Sequence, residues 1–261
     1  MNSTRDPPGI HCRAAWLRLL LGLSLVFGLF QWSASALGSD RGQAGIVVGA
    51  LIVAAAIAVE RALFGHRLLI AARALGLGRP RTRGLVVACA VSLLLFLVVL
   101  VFVGVTGGQV SFFPDWMSLL TGLFAQAGVA EETLFRGYLF RHLRVTRTFW
   151  RAAVLSMLPF TGVHLILFLT MPWPVALIAV LLAIVLSFPL AYLFELGGNT
   201  IWAPALLHFV IQGTIKILTV SNGDSSLFPV VWMAASAVLP LLSFAIVRPT
   251  TRQSSAHVES A

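Results

Sequence analysis

Glu131 and Glu132 stand side by side in the run Glu131-Glu132-Thr133-Leu134-Phe135-Arg136, inside an otherwise apolar stretch. The chain holds only nine acidic residues among 261, so an adjacent pair in a hydrophobic segment is conspicuous. An ionisable side chain near a bilayer centre costs about 2.5–3.5 kcal/mol on insertion scales, which makes function its default explanation. On a helix, Glu132 and Arg136 are four apart and share a face, whereas Glu131 points about 100° away. Arg136 can therefore neutralise Glu132 and leave Glu131 to a different partner. The competing reading is a structural salt-bridge cluster of all three, and spacing alone does not separate the two.

Two histidines lie in later apolar runs. His164 follows Phe160 by one helical turn in Phe160-Thr161-Gly162-Val163-His164, and His208 precedes Gln212 by one turn. Taken singly, a histidine in an apolar helix is more often a packing residue than a catalyst. Depth argues the other way. Glu131, His164 and His208 each sit roughly 12–20 Å from the cytoplasmic ends expected for their helices, at 1.5 Å per residue. A buried glutamate beside neutral imidazoles can deprotonate water at neutral pH, and that water can attack an amide carbonyl. An amide such as Gln212 can stabilise the oxyanion. Glu131, His164 and His208 are equally a possible zinc set, although the familiar H-E-x-x-H arrangement is absent.

The elements that must position these groups are membrane helices. The chain is 59% hydrophobic and 10% charged, with a mean hydropathy of +0.95, too apolar for a water-soluble domain. Apolar runs long enough to cross a bilayer fall at about 14–37, 44–64, 84–105, 113–141, 151–170, 174–196, 200–218 and 227–247. The expectation is an all-α polytopic membrane protein of about eight transmembrane helices. Seventeen arginines and one lysine give a net charge of +9, a balance that elsewhere suggests nucleic acid. Here the arginines gather in alternate connections. The N-terminal segment carries Arg5, Arg13 and Arg18, the connection after the second run Arg67, Arg73, Arg79, Arg81 and Arg83, and the connection after the fourth Arg141, Arg144, Arg147 and Arg151. Arg248 and Arg252 end the series, while the other connections hold almost no basic residue apart from Arg41. By the positive-inside rule both termini are cytoplasmic, and the partner is the bilayer rather than nucleic acid. The seven tryptophans fall near run ends, as an interfacial belt would place them.

Other features read as ordinary. Cys12 and Cys89 are too far apart in sequence to suggest a disulfide framework or a cysteine metal site. No glycine loop suited to a nucleotide is present. Glu60 beside Arg61 and Glu195 before Gly197-Gly198-Asn199 lie at run ends where they can reach water, and His66, His142 and His257 lie in connections or the tail. Residues 65–83 read as a short interfacial amphipathic helix or a solvated basic loop. Residues 1–36 carry some marks of a signal peptide, but their length and the span that follows favour a retained helix.

The ordered set Glu131-Glu132-x-x-x-Arg136, Phe160-x-x-x-His164 and His208 resembles the motifs of the CAAX-protease and bacteriocin-processing family, also called the Abi or glutamic intramembrane proteases. The resemblance covers about residues 113–215. It implies a helical core with a cytosol-facing cavity that cleaves peptide bonds near the membrane surface. It also implies that Glu131 activates water with His164 as its partner, and that His208 completes the site. Glu132 and Arg136 would be structural or substrate-orienting. The family's small polar residue after His-x-x-x is Gln212 here, one methylene longer than the usual asparagine, and no cofactor is implied. The expected division is helices one to three with a basic loop (1–111), a catalytic core (112–247) and a tail (248–261). Substrates would be membrane-tethered peptides, prenylated proteins or proteins with a C-terminal sorting helix. The arginine-rich, nearly lysine-free composition suits a high-GC bacterium and its inner membrane. Two other functions remain open at this point: a non-catalytic bacteriocin-immunity or scaffold protein, and a transporter or proton relay.

Overall fold

The computed structural model describes residues 13–37, 42–223 and 225–246. Arg5, Cys12, Arg41, His257 and the 248–261 tail with Arg248 and Arg252 lie outside the described residues. With no water in a bilayer core, a spanning backbone must satisfy its own N–H and C=O groups, so long apolar runs become helices. Helices α1 (Arg13–Ala36), α2 (Gln43–Phe64) and α4 (Thr82–Thr106) form this way, with the short α3 (Leu68–Ala74) between the last two. The next stretch begins as α5 (Trp116–Leu123), passes through π-helical segments Phe124–Ala130 and Thr133–Phe140, and ends as α6 (Arg141–Arg144). Helix α7 (Phe149–His164) runs into a 3₁₀ turn at Leu165–Leu169. Helices α8 (Trp173–Leu196), α9 (Trp202–Ile217) and α10 (Phe228–Val238) complete the order.

The chain is thus a predominantly helical polytopic membrane protein. Among the described residues, six helical segments are long and apolar enough to span: Arg13–Ala36, Gln43–Phe64, Thr82–Thr106, Phe149–Leu169, Trp173–Leu196 and Ser225–Ala245. The two expected runs outside that set are 113–141 and 200–218. The first is divided between α- and π-helical turns, and the second yields a helix of 16 residues. These are the two that carry the acidic pair and His208.

One element departs from the all-α expectation. Strand β1 (Gln109–Phe112), just after α4, pairs antiparallel with β2 (Leu218–Ser221), just after α9, in the register Gln109↔Ser221 to Phe112↔Leu218. The pair satisfies backbone groups where both helices have ended. A second departure is Trp232, which is fully buried and donates its indole N–H to the Ile211 carbonyl at 3.0 Å, so it belongs to the core rather than to an interfacial belt.

Close packing holds the acidic segment between two helices. On α2, Gly45 and Gly49 form a small-xxx-small face: a Cβ at either would lie 2.5 Å from the Gly122 carbonyl or 2.7 Å from that of Ala125. On the other side α9 approaches Gly128 through the Ala205 carbonyl. Tyr138 reaches α1, its hydroxyl donating to the Leu19 carbonyl at 3.2 Å.

The arginine-rich connections meet at one end. Helix α3 leaves Leu68, Leu69 and Ile70 exposed and buries Ala71 and Ala74, with Leu75 buried just after it. The Gly76 carbonyl accepts from the Ile201 N–H at 3.0 Å, Gly78 accepts from the Trp202 indole at 2.8 Å, and Gly197 accepts from the Arg81 N–H at 2.9 Å. These bonds clamp the 65–83 connection onto the turn that launches α9.

Candidate active site

Glu131 and Glu132 occupy the two positions between the π-helical segments. Such i→i+5 turns are rare and recur at functional sites, because they turn side chains away from the regular 3.6-residue order. Glu132 is fully buried, whereas Glu131 retains 16% of its exposure.

The expected Glu132–Arg136 pair is present, with the guanidinium donating to Oε1 at 2.9 Å. Glu132 does more than balance Arg136, however. The same Oε1 lies 2.7 Å from Nδ1 of His208, a contact the spacing did not disclose. An ionised carboxylate only accepts, so His208 carries its proton on Nδ1. Its Nε2 lies 2.8 Å from Nε2 of Gln212, whose amide N–H is the only possible donor there. Lys216 donates from Nζ to Oε1 of Gln212 at 3.0 Å, which turns the amide in the required sense. Gln212 is therefore engaged with His208 through one of its two N–H groups.

Phe160 ties the third helix to this network. The Arg136 guanidinium lies over its ring, 4.4 Å from the centroid, a cation–π contact away from water. Phe135 and His164 meet the same ring edge-on at 4.8 Å, and His208 does so at 6.1 Å. His164 lies 2.7 Å through Nδ1 from the Phe160 carbonyl. A carbonyl only accepts, so Nδ1 carries the proton and the neutral ring keeps a lone pair on Nε2. Glu131, His208 and Arg136 are the ionisable groups that act on His164 across the site.

Glu131 makes no direct hydrogen bond among the described residues; its Oε2 is 3.8 Å from Nε2 of His208. That separation is beyond a direct bond. All seven residues singled out in the sequence, Glu131, Glu132, Arg136, Phe160, His164, His208 and Gln212, thus meet at one place. Among the described residues, no three His, Cys, Asp or Glu side chains are arranged to hold a metal ion.

A second polar cluster corrects the sequence reading. Glu60 does not reach water: it is fully buried, 3.0 Å from Nδ1 of His66 and 3.4 Å from Nε2 of the buried His142. His142 in turn contacts the Tyr138 carbonyl through Nδ1 at 2.8 Å. Burial, reinforced by the Arg141 charge, lowers the His66 pKa below the ordinary imidazole value. The six-residue interval from Glu60 to His66 was the only local signal; His142 arrives from a distant helix.

Comparison with known proteins bears on the same region. Residues 111–214 match the family model described as Type II CAAX prenyl endopeptidase Rce1-like, which agrees with the resemblance carried by the motifs. No curated protein and no solved structure matches the chain.

Proposed function

We propose that the protein, whose residues 111–214 match the family model of CAAX prenyl endopeptidases, is an intramembrane endopeptidase that hydrolyses a peptide bond of a membrane-associated substrate. The observation that carries this reading is the unequal treatment of the paired carboxylates. Glu132 is held by Arg136 and His208, while the partly exposed Glu131 has no direct hydrogen bond among the described residues and faces His208 at 3.8 Å.

In this mechanism a water molecule sits against Glu131 and donates its second hydrogen to the Nε2 lone pair of His164. Glu131 takes one proton, and the oxygen attacks the substrate carbonyl carbon. The second N–H of Gln212 donates to the resulting oxyanion. Collapse breaks the carbon–nitrogen bond, and Glu131 returns its proton to the departing amine. Glu132, Arg136 and Phe160 keep the two imidazoles oriented throughout. No metal is used, since both ring nitrogens of His208 are already bonded. Substrate enters from the arginine-rich end, the cytosolic side, with both termini of the chain on that side and eight helices crossing the membrane.

Glu131→Gln and, separately, His164→Ala are the test, read by comparative proteomics of the membrane fraction in the native host. The expected result is accumulation of one uncleaved membrane-associated polypeptide in both strains. An unchanged peptide pattern in both would refute catalysis at this site. Full activity of the purified protein after chelation is the expected control, and a loss restored by added zinc would reject the metal-free mechanism.

A further inference from the structure

Lys216 is the only lysine in a chain of seventeen arginines, and it lies on α9 two turns beyond His208, half-buried. A cation at that position is costly unless its donors are used. One of them is: Nζ donates to Oε1 of Gln212 at 3.0 Å. From there the bonds continue without a break, Gln212 Nε2 to His208 Nε2 at 2.8 Å and His208 Nδ1 to Glu132 Oε1 at 2.7 Å. The direction of each bond follows from the one before. Lys216 has only donors, so Gln212 must turn its oxygen toward it and its N–H₂ toward the imidazole. His208 must then accept at Nε2 and donate from Nδ1.

We propose that Lys216 is a positioning residue that fixes the amide orientation of Gln212 and so, acting at Nε2 as Glu132 acts at Nδ1, helps to hold the tautomer of His208. Without the ammonium the amide can rotate. Its oxygen would then face Nε2 and favour the opposite tautomer, which removes the donor from the buried Glu132 carboxylate. A wrong imidazole tautomer in a hydrolytic site slows turnover by orders of magnitude even where the geometry is intact. The tautomer claim stands apart from catalysis; only its kinetic consequence rests on the endopeptidase reading.

The experiment is nitrogen NMR of the full-length protein in detergent, with ¹⁵N-labelled histidine and the His208 signals assigned by their loss in His208→Gln. Wild-type protein should show His208 protonated at Nδ1 alone, with Nε2 in the unprotonated range. Lys216→Met should give a mixture of tautomers, and Lys216→Arg, which retains a donor, should restore the single form. The same series should lower kcat about tenfold or more in the Met variant, with KM little changed and the rate recovered in the Arg variant. A His208 signal unmoved by Lys216→Met overturns the proposal. If that variant does not fold, the wild-type spectrum decides alone, because His208 protonated at Nε2 is incompatible with the lock. A moved signal in a protein without peptidase activity would support the lock and count against the endopeptidase reading.

Discussion

Glu132 and Glu60 are both fully withdrawn from solvent and both lie within 3.0 Å of a histidine nitrogen, yet they anchor different kinds of place. Glu132 is bonded to an arginine and an imidazole from another helix, and next to it stands a second carboxylate with part of its surface open. Glu60 shares two histidines, one from the adjoining connection and one from the far end of the acidic helix, and no carboxylate adjoins it in sequence. A buried Glu–His contact is therefore no mark of catalysis by itself. What distinguishes the first site is the spare carboxylate, free of strong partners, that the buried one supports. The second cluster instead joins the end of α2 to the end of the helix carrying the site.

The contrast can be broken most directly at Glu131. Glu131→Gln should lower peptidase turnover by about 10²–10⁴-fold, the usual contribution of a general base, while the thermal melt in detergent stays near wild type. Glu60→Gln should leave turnover within about twofold, a result checked in the same assay. An equal loss in both would erase the distinction. Next in size, Arg136→Met strands the buried Glu132 charge, and denaturation should register a loss of about 3–5 kcal/mol. Glu60→Gln should cost about 1–3 kcal/mol in the same measurement, because its histidines lose a carboxyl partner but keep an amide oxygen. The smallest effect concerns His66. Its pKa is lowered in the folded state by burial, so the unfolded chain binds the proton more readily. Stability should fall as pH drops below the unfolded value of about 6.5, and His66→Gln should flatten part of that slope in melts recorded from pH 8 to 5.

The sequence disclosed most of the first site and almost none of the second. Glu132 and Arg136 are one turn apart, so their bond follows from helical spacing, and likewise Phe160 with His164 and His208 with Gln212. The contact from His208 to Glu132 spans 76 residues and has no local signature. His142 to Glu60 is likewise a contact between distant parts of the sequence, and charge beside a run end suggested water where the fold supplies burial. Lys216 was legible as the lone lysine but not as part of a bond chain, because its role depends on which way an amide faces. The strands after α4 and α9 are too short for alternation to show, and π-helical turns have no compositional signal. The two expected spans that lie outside the six long apolar segments have a related explanation: the segments bearing polar groups are those least like uniform apolar helices.

The π-helical turns on either side of the acidic pair also make chain length itself a determinant of the site. Each such turn takes up residues that a regular helix would have to accommodate by rotating. Deleting a single residue from Trp116–Leu123, with the π-helical winding beyond it kept, would swing everything that follows by about 100° about the axis. Glu131 would then leave the histidines although every functional side chain was still present. The spacing between Trp116 and Glu131 is in that sense a frame, and a frameshift in space would be as damaging as the loss of the base.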